Sequence, residues 1–415
     1  MKNLLFVSLL VLFGGNVLSG EFLNGRKTTT AYFNLTQVFC MSHQGLLEAK
    51  SAIKRNDPFI QTSFNKLCVQ ADKAMVAGPF SVMQKNKIPP SGDKHDYMSV
   101  PPYAGTGDGL TNPDWWLDYD RVPLEKLTQS VETLALVYFF TDKQTYASKA
   151  ALLLRTWFLD PETRMNPDLE FAQKSTRVGI IDTRFLSRII DCIGILQNSG
   201  AWTKNDQAGM VEWCRQYLTN VQARIDNDHM DSGHNIASWY HVQMTSLALY
   251  TQNKKLAHSL LERTKFRIDT ALNSTGGLRR ELNRTRSLSY SCFHIYALFN
   301  LAAMGEQTGI DLWNFKTEDG RGIELAMDYL AKYSGSENIQ QWLHKEIEGT
   351  KGDWWNPYYD MLPSVLFHAA KVYQKENYNM AMEQILLDKV DESQIQIMCG
   401  IPVRWFETID PNFEH

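Results

Sequence analysis

Three segments of this 415-residue chain gather residue types that could together hold a carboxylate. The first is Asp231-Ser232-Gly233-His234-Asn235-Ile236-Ala237-Ser238-Trp239-Tyr240-His241. Its Asp, Ser and Gly mark a helix start, and a helix start favours anions because unpaired amide hydrogens project from it. The second, residues 278–290, sets Arg279, Arg280, Arg284 and Arg286 just ahead of Tyr290. The third runs from Met165-Asn166-Pro167 through Gln173 and Arg177 to Arg184. Arginine and amide groups are suited to neutralising a carboxylate.

Each segment also has a purely structural reading. His234 and Asn235 suit a helix cap, the arginines a solvated charge run, and Tyr290 a core aromatic. Other chemistries lack their signatures. His344-Lys345-Glu346-Ile347-Glu348 has no second histidine, and neither a Cys-x-x-Cys pair nor a Gly-x-Ser-x-Gly elbow occurs. The glycines of Gly105-Thr106-Gly107-Asp108-Gly109 are not closed by the Lys-Ser or Lys-Thr of a phosphate loop. No metal or cofactor is expected. The formal net charge of -4 supplies no broad basic field, so a nucleic-acid partner is not expected and an anionic ligand has to be met by a local cluster.

The elements that position these groups read as helices. Leu124, Leu127, Val131, Leu134 and Tyr138 recur at spacings of three and four, residues 141–144 form a turn, and Tyr146, Ala150, Leu153 and Trp157 resume the period. Met210, Trp213, Tyr217, Val221 and Ile225 mark another helix, as do Leu288, Phe293, Leu298 and Leu301. The helix ending at Tyr250 is followed, after the turn at 251–254, by one through Leu260, Leu261 and Phe266. Repeated helix pairs with little strand signal predict an all-α fold, either a solenoid or a closed α/α toroid. Residues 87–120 form a long loop rich in Pro and Gly, the kind that is usually functional. Ile395-Gln396-Ile397 reads as a short strand or extended strap.

Lys2, the apolar run Leu4 to Phe13 and the small residues before Glu21 have the build of a signal peptide. Secretion is therefore expected, to the extracellular space or the periplasm, with no membrane partner because no later segment is apolar for the roughly 20 residues a span needs. Oxidising surroundings would permit one or two bridges among Cys40, Cys68, Cys192, Cys214, Cys292 and Cys399, although Cys192, Cys214 and Cys292 read as buried thiols. Asn34, Asn273 and Asn283 each open a glycosylation sequon.

The motifs taken in order resemble the alginate lyase family of helical polysaccharide lyases. They are Pro-Pro-Ser-Gly-Asp-Lys-His-Asp-Tyr at 89–97, the Met-Asn-Pro segment at 165, Gly-Ile-Ile-Asp-Thr-Arg at 179–184, the Trp-Tyr helix at 239, and the run from Glu281 to Tyr290. The resemblance implies an incomplete (α/α) toroid over residues 21–386, after a signal peptide at 1–20 and before a C-terminal extension at 387–415. It implies β-elimination on an anionic polysaccharide, a polyuronate, with Asn235, Arg284 (or Arg286) and Tyr290 in the family's Asn, Arg and Tyr positions. The family's histidine position holds Ile236, and His234 stands two residues earlier as the fourth catalytic candidate. Gln173, Arg177, Arg184 and Arg286 are the polar substrate-binding candidates. Trp116, Trp239, Tyr240 and Trp354, with Trp115 and Trp355, are candidates for sugar stacking. Two alternatives stand beside this reading. One is a hydrolase using Asp114, Asp182 or Glu281, and the other a non-catalytic polyuronate-binding protein. Oligomeric state is left open.

Overall fold

A computed structural model describes residues 33–104, 110–112, 114, 119–225, 233–334, 341–342, 344, 361–386 and 390–403. Helix α1 (His43–Lys54) begins where the Ser42 hydroxyl accepts from the Gly45 amide, and α2 (Pro58–Val76) where Asp57 accepts from Phe59. Such caps satisfy amides that a helix leaves unpaired, and the fixed φ of Pro58 suits a first turn. Then come α3 (Arg121–Thr141) and α4 (Gln144–Phe158), reversed through Asp142 at φ 59. The expected hairpin is thus present.

The chain continues through α5 (Thr176–Gly179), α6 (Leu186–Leu196), α7 (Lys204–Arg224), α8 (Asn235–Tyr250) and α9 (Lys254–Ala271). It ends with α10 (Ser287–Thr308), α11 (Ile323–Ala331), α12 (Leu362–Tyr373), α13 (Glu376–Leu386) and α14 (Val390–Cys399). The strands among the described residues are two-residue β1 (Tyr103–Ala104) and β2 (Leu110–Thr111), paired antiparallel inside the long loop. Among the described residues no helix is long and apolar enough to cross a membrane.

An inner ring runs α3, α6, α8, α10, α12 and, through α14 and α2, back to α3. Outer helices pair with it: α4 on α3, α9 on α8 and α13 on α12. This is an α/α toroid of helix hairpins. The two layers explain the two kinds of apolar pattern. Outer α4 shows one buried face, whereas α3, α6, α8 and α10 are buried nearly all round. Polar groups inside the inner layer are therefore paired, as where Arg188 of α6 donates to both Glu132 oxygens of α3.

Two expectations are corrected. Ile395-Gln396-Ile397 is helical, within α14; its alternation arises because α14 packs on α1, α2 and α12 together. All six cysteines are unbridged, five of them buried, so they act as small apolar side chains. The ring is closed noncovalently: the Ser42 amide donates to the Cys399 carbonyl, Ile395 donates to the Ser63 hydroxyl, and Lys66 pairs with Glu392. Near by, Asp191 of α6 accepts from the successive amides of Phe39, Cys40 and Met41.

Candidate active site

The start of α8, the 3-10 turn Glu281–Asn283 and the start of α10 converge on one buried carboxylate. Gly233 makes the approach possible: a Cβ there would lie 2.6 Å from the Thr270 carbonyl at the end of α9. The chain then enters α8 with His234 as N-cap and Asn235 as first residue. Glu281 Oε1 accepts from the Asn235 amide at 3.0 Å, and Oε2 from Asn235 Nδ2 at 2.9 Å. The anion expected at this helix start is thus the protein's own. His294, one turn beyond Tyr290 on α10, places Nδ1 3.2 Å from Glu281 Oε1 and Nε2 2.7 Å from the Ser238 hydroxyl. Burial pushes the Glu281 carboxyl up, but His294 and the Asn235 bonds outweigh it and hold the group below the ordinary glutamate range.

Around that hub lie the proton-transfer candidates. The Arg284 guanidinium carbon stands 3.7 Å from the centre of the Tyr290 ring, and Arg284 Nη1 is 4.0 Å from Glu281 Oε2. The Tyr290 hydroxyl donates to the Tyr103 hydroxyl at 3.2 Å. Tyr103 belongs to β1, so the long Pro- and Gly-rich loop reaches the site directly. Arg286, the alternative arginine, is the buried N-cap of α10. His234 faces outward from the hub, where Arg280 Nη1 donates to its Nε2 at 2.8 Å. Burial, then the charge of Arg280, lowers the His234 pKa to about 4, with Arg177 and His294 adding and Glu281 opposing.

The remaining candidates separate clearly. Gln173, at φ 51, is half-buried and donates Nε2 to Asp182 Oδ1 at 2.6 Å, while Arg177 on α5 is half-buried. Arg184 is corrected: it is only 5% exposed, its guanidinium lies 3.9 Å from the Phe185 ring centre, and it donates to the Ile181 carbonyl. Burial, reinforced by Arg121, brings its pKa down to about 9. Trp239 and Tyr240 are corrected too. They are 3% and 4% exposed, with Trp239 packed on Phe293 at 4.9 Å, so neither offers a face to a sugar. Trp116 and Trp354, with Trp115 and Trp355, lie outside the described residues.

The hydrolase carboxylates are placed as follows. Asp182 is buried and occupied by Ser99, Gln173 and Arg121, Glu281 is the buried hub, and Asp114 is exposed. Three residues escaped the reading of the sequence as site members: Tyr103, Arg280 as a partner of His234, and His294. For His294 a signal existed, since it falls four residues after Tyr290 on the same helix face.

The model of the family described as alginate lyase matches residues 81–342. An alginate lyase from Bacteroides ovatus, solved at 1.60 Å, is 29% identical, with a TM-score of 0.79 over 87% of this chain and 98% of that one. Alginate lyase A1-III from Sphingomonas species A1 shares the fold at 14% identity, with a TM-score of 0.55 over 92% of this chain and 99% of that one. A histidine-to-alanine form of A1-III complexed with tetrasaccharide gives a TM-score of 0.58 at 14% identity, covering 91% and 97% of the two chains. No curated protein matches the chain.

Proposed function

The chain belongs to the alginate lyase family and is a polysaccharide lyase, and from this premise we propose that it cleaves a 1,4-linked polyuronate, mannuronate-rich alginate or glucuronan, with Tyr290 as base and acid. The observation that carries the assignment is the Arg284 guanidinium stacked over the Tyr290 ring at 3.7 Å. A cation there stabilises the phenolate that accepts a proton. The phenolate takes the proton from C5, the C5–H electron pair becomes the C4=C5 double bond, the C4–O4 bond breaks, and Tyr290 returns the proton to O4. Arg284, with the Nδ2 hydrogen of Asn235 that Glu281 does not take, holds the sugar carboxylate while the enediolate forms.

One tyrosine can perform both transfers only when the C5 proton and O4 leave from the same side. Mannuronate and glucuronate meet that condition. Guluronate, inverted at C5, needs a second base on the opposite side, and the family's histidine position is held by Ile236. Mannuronan and glucuronan are therefore the favoured substrates. The test is ultraviolet absorbance of the unsaturated product from mannuronan, guluronan, glucuronan and a glycosaminoglycan, beside Tyr290→Phe. A rise on the first or third that disappears in the variant is expected; comparable initial rates on guluronan would overturn the preference.

Secretion belongs to the same proposal, because a polymer is met outside the cell. Mass spectrometry of the exported protein is expected to find a start near Glu21. Asn283, whose side-chain amide donates to the Arg279 carbonyl one residue from Arg284, is expected to carry no glycan.

A further inference from the structure

Two successive residues of one turn pair with two successive residues at the start of α8: Glu281 with Asn235, and Arg280 with His234. The first rung is buried and the second opens to solvent, with Arg280 exposed. In the outer rung Arg280 Nη1 is the donor and His234 Nε2 the acceptor, at 2.8 Å. A neutral imidazole has one accepting nitrogen. While Arg280 stays in place, that lone pair is occupied and His234 cannot take a proton from a sugar.

The consequence for Arg280 is the reverse. Its partner among the described residues is an uncharged ring rather than a carboxylate, so that contact leaves its charge uncancelled, on an exposed side chain with further N–H groups. A guanidinium fork matches a carboxylate in two parallel hydrogen bonds. The groups whose charges reach His234 are Arg280, Glu281, Arg177 and His294, and Arg177 adds a second guanidinium to the field there. We propose that Arg280, held by neutral His234, is a carboxylate-binding residue for the polyuronate chain, with His234 its positioning residue and Arg177 a supporting charge. This rests on the polyuronate reading above and assigns His234 a place in recognition instead of proton transfer.

The test measures binding without turnover, using the full chain carrying Tyr290→Phe. Tetramannuronate and tetraglucuronate, and the same oligomers with carboxyl groups reduced to alcohols, are titrated calorimetrically. Adding Arg280→Gln is expected to weaken the carboxylate oligomers about tenfold or more, the scale of one hydrogen bond to a charged group. The reduced oligomers should change little. His234→Leu, which removes the acceptor, should resemble Arg280→Gln, whereas His234→Gln, which keeps one, should stay near the parent. Unchanged affinity in Arg280→Gln, or no binding of either uronate oligomer to the parent, would overturn the assignment. So would loss of turnover in His234→Gln, on the unmodified Tyr290 background, with affinity intact, because the ring would then belong to the chemistry. Failure of the elimination reading would appear separately, as absence of unsaturated product from the unsubstituted protein.

Discussion

The Arg284 guanidinium carbon stands over the Tyr290 ring, 3.7 Å from its centre, with Arg284 capping the 3-10 turn and Tyr290 in the first turn of α10. Replacing Arg284 by Met keeps the packing stem and removes the charge that stabilises the phenolate. Turnover is expected to fall about 100-fold or more, the lower end of what general acid–base groups contribute. Initial rates of product absorbance measure the fall; an unchanged rate would remove Arg284 from the chemistry.

Glu281 is expected to matter first for stability. Alanine at 281 would leave two buried Asn235 donors and the facing His294 nitrogen without their acceptor. Removing one partner of such a buried charged group costs about 3 kcal/mol or more. Glu281→Gln keeps an acceptor and should cost less, about 1 kcal/mol. Urea midpoints compare them, and an alanine variant as stable as the parent would show that the hub is dispensable.

Trp239→Ala distinguishes core from groove. Loss of a buried tryptophan costs about 3–5 kcal/mol. The expected result is a large fall in unfolding midpoint, with KM on mannuronan little altered at temperatures where the variant is folded. A raised KM with an unchanged midpoint would restore the sugar-stacking reading.

His234 gives a pH signature. Its pKa in the folded protein is about 4, below the value of about 6.5 in an unfolded chain. Between those values the unfolded state binds the extra proton, so the stability this residue contributes is present above about 6.5 and lost as pH falls toward 4. His234→Gln has no such group. The stability difference, parent minus variant, should therefore shrink between pH 7.5 and pH 4.5. A constant difference would contradict the assignment of a neutral ring.

The hairpin of α3 and α4 was legible because Ala150, Leu153 and Trp157 mark one buried face of an outer helix, with Tyr146 half-buried. Inner helices were legible as helices but not by which face is buried, since all of their faces are covered. The same burial hid Trp239, because aromatic residues serve a core and a sugar groove equally well in sequence. Asn235, Arg284 and Tyr290 came from the family pattern, and they meet around a glutamate first read as a hydrolase candidate. Tyr103 was beyond reach: its hydroxyl contact with Tyr290 spans 187 residues, and no local periodicity reports it.

The closing contacts of α14 on α2 have a consequence for the order in which the molecule can be made. Ser63 and its partner Gln396 are 333 residues apart, so a ribosome delivers α1 and α2 long before the helix that covers them. The thermodynamic penalty for so long a closure grows only logarithmically with length. The temporal penalty is larger, because contacts this distant in sequence form slowly. During the interval the part of α2 bearing Ser63 and Lys66 has no cover from α14. A nascent chain interrupted before residue 390 would keep that seam open, an adhesive surface of the kind that chaperones bind and aggregates grow from.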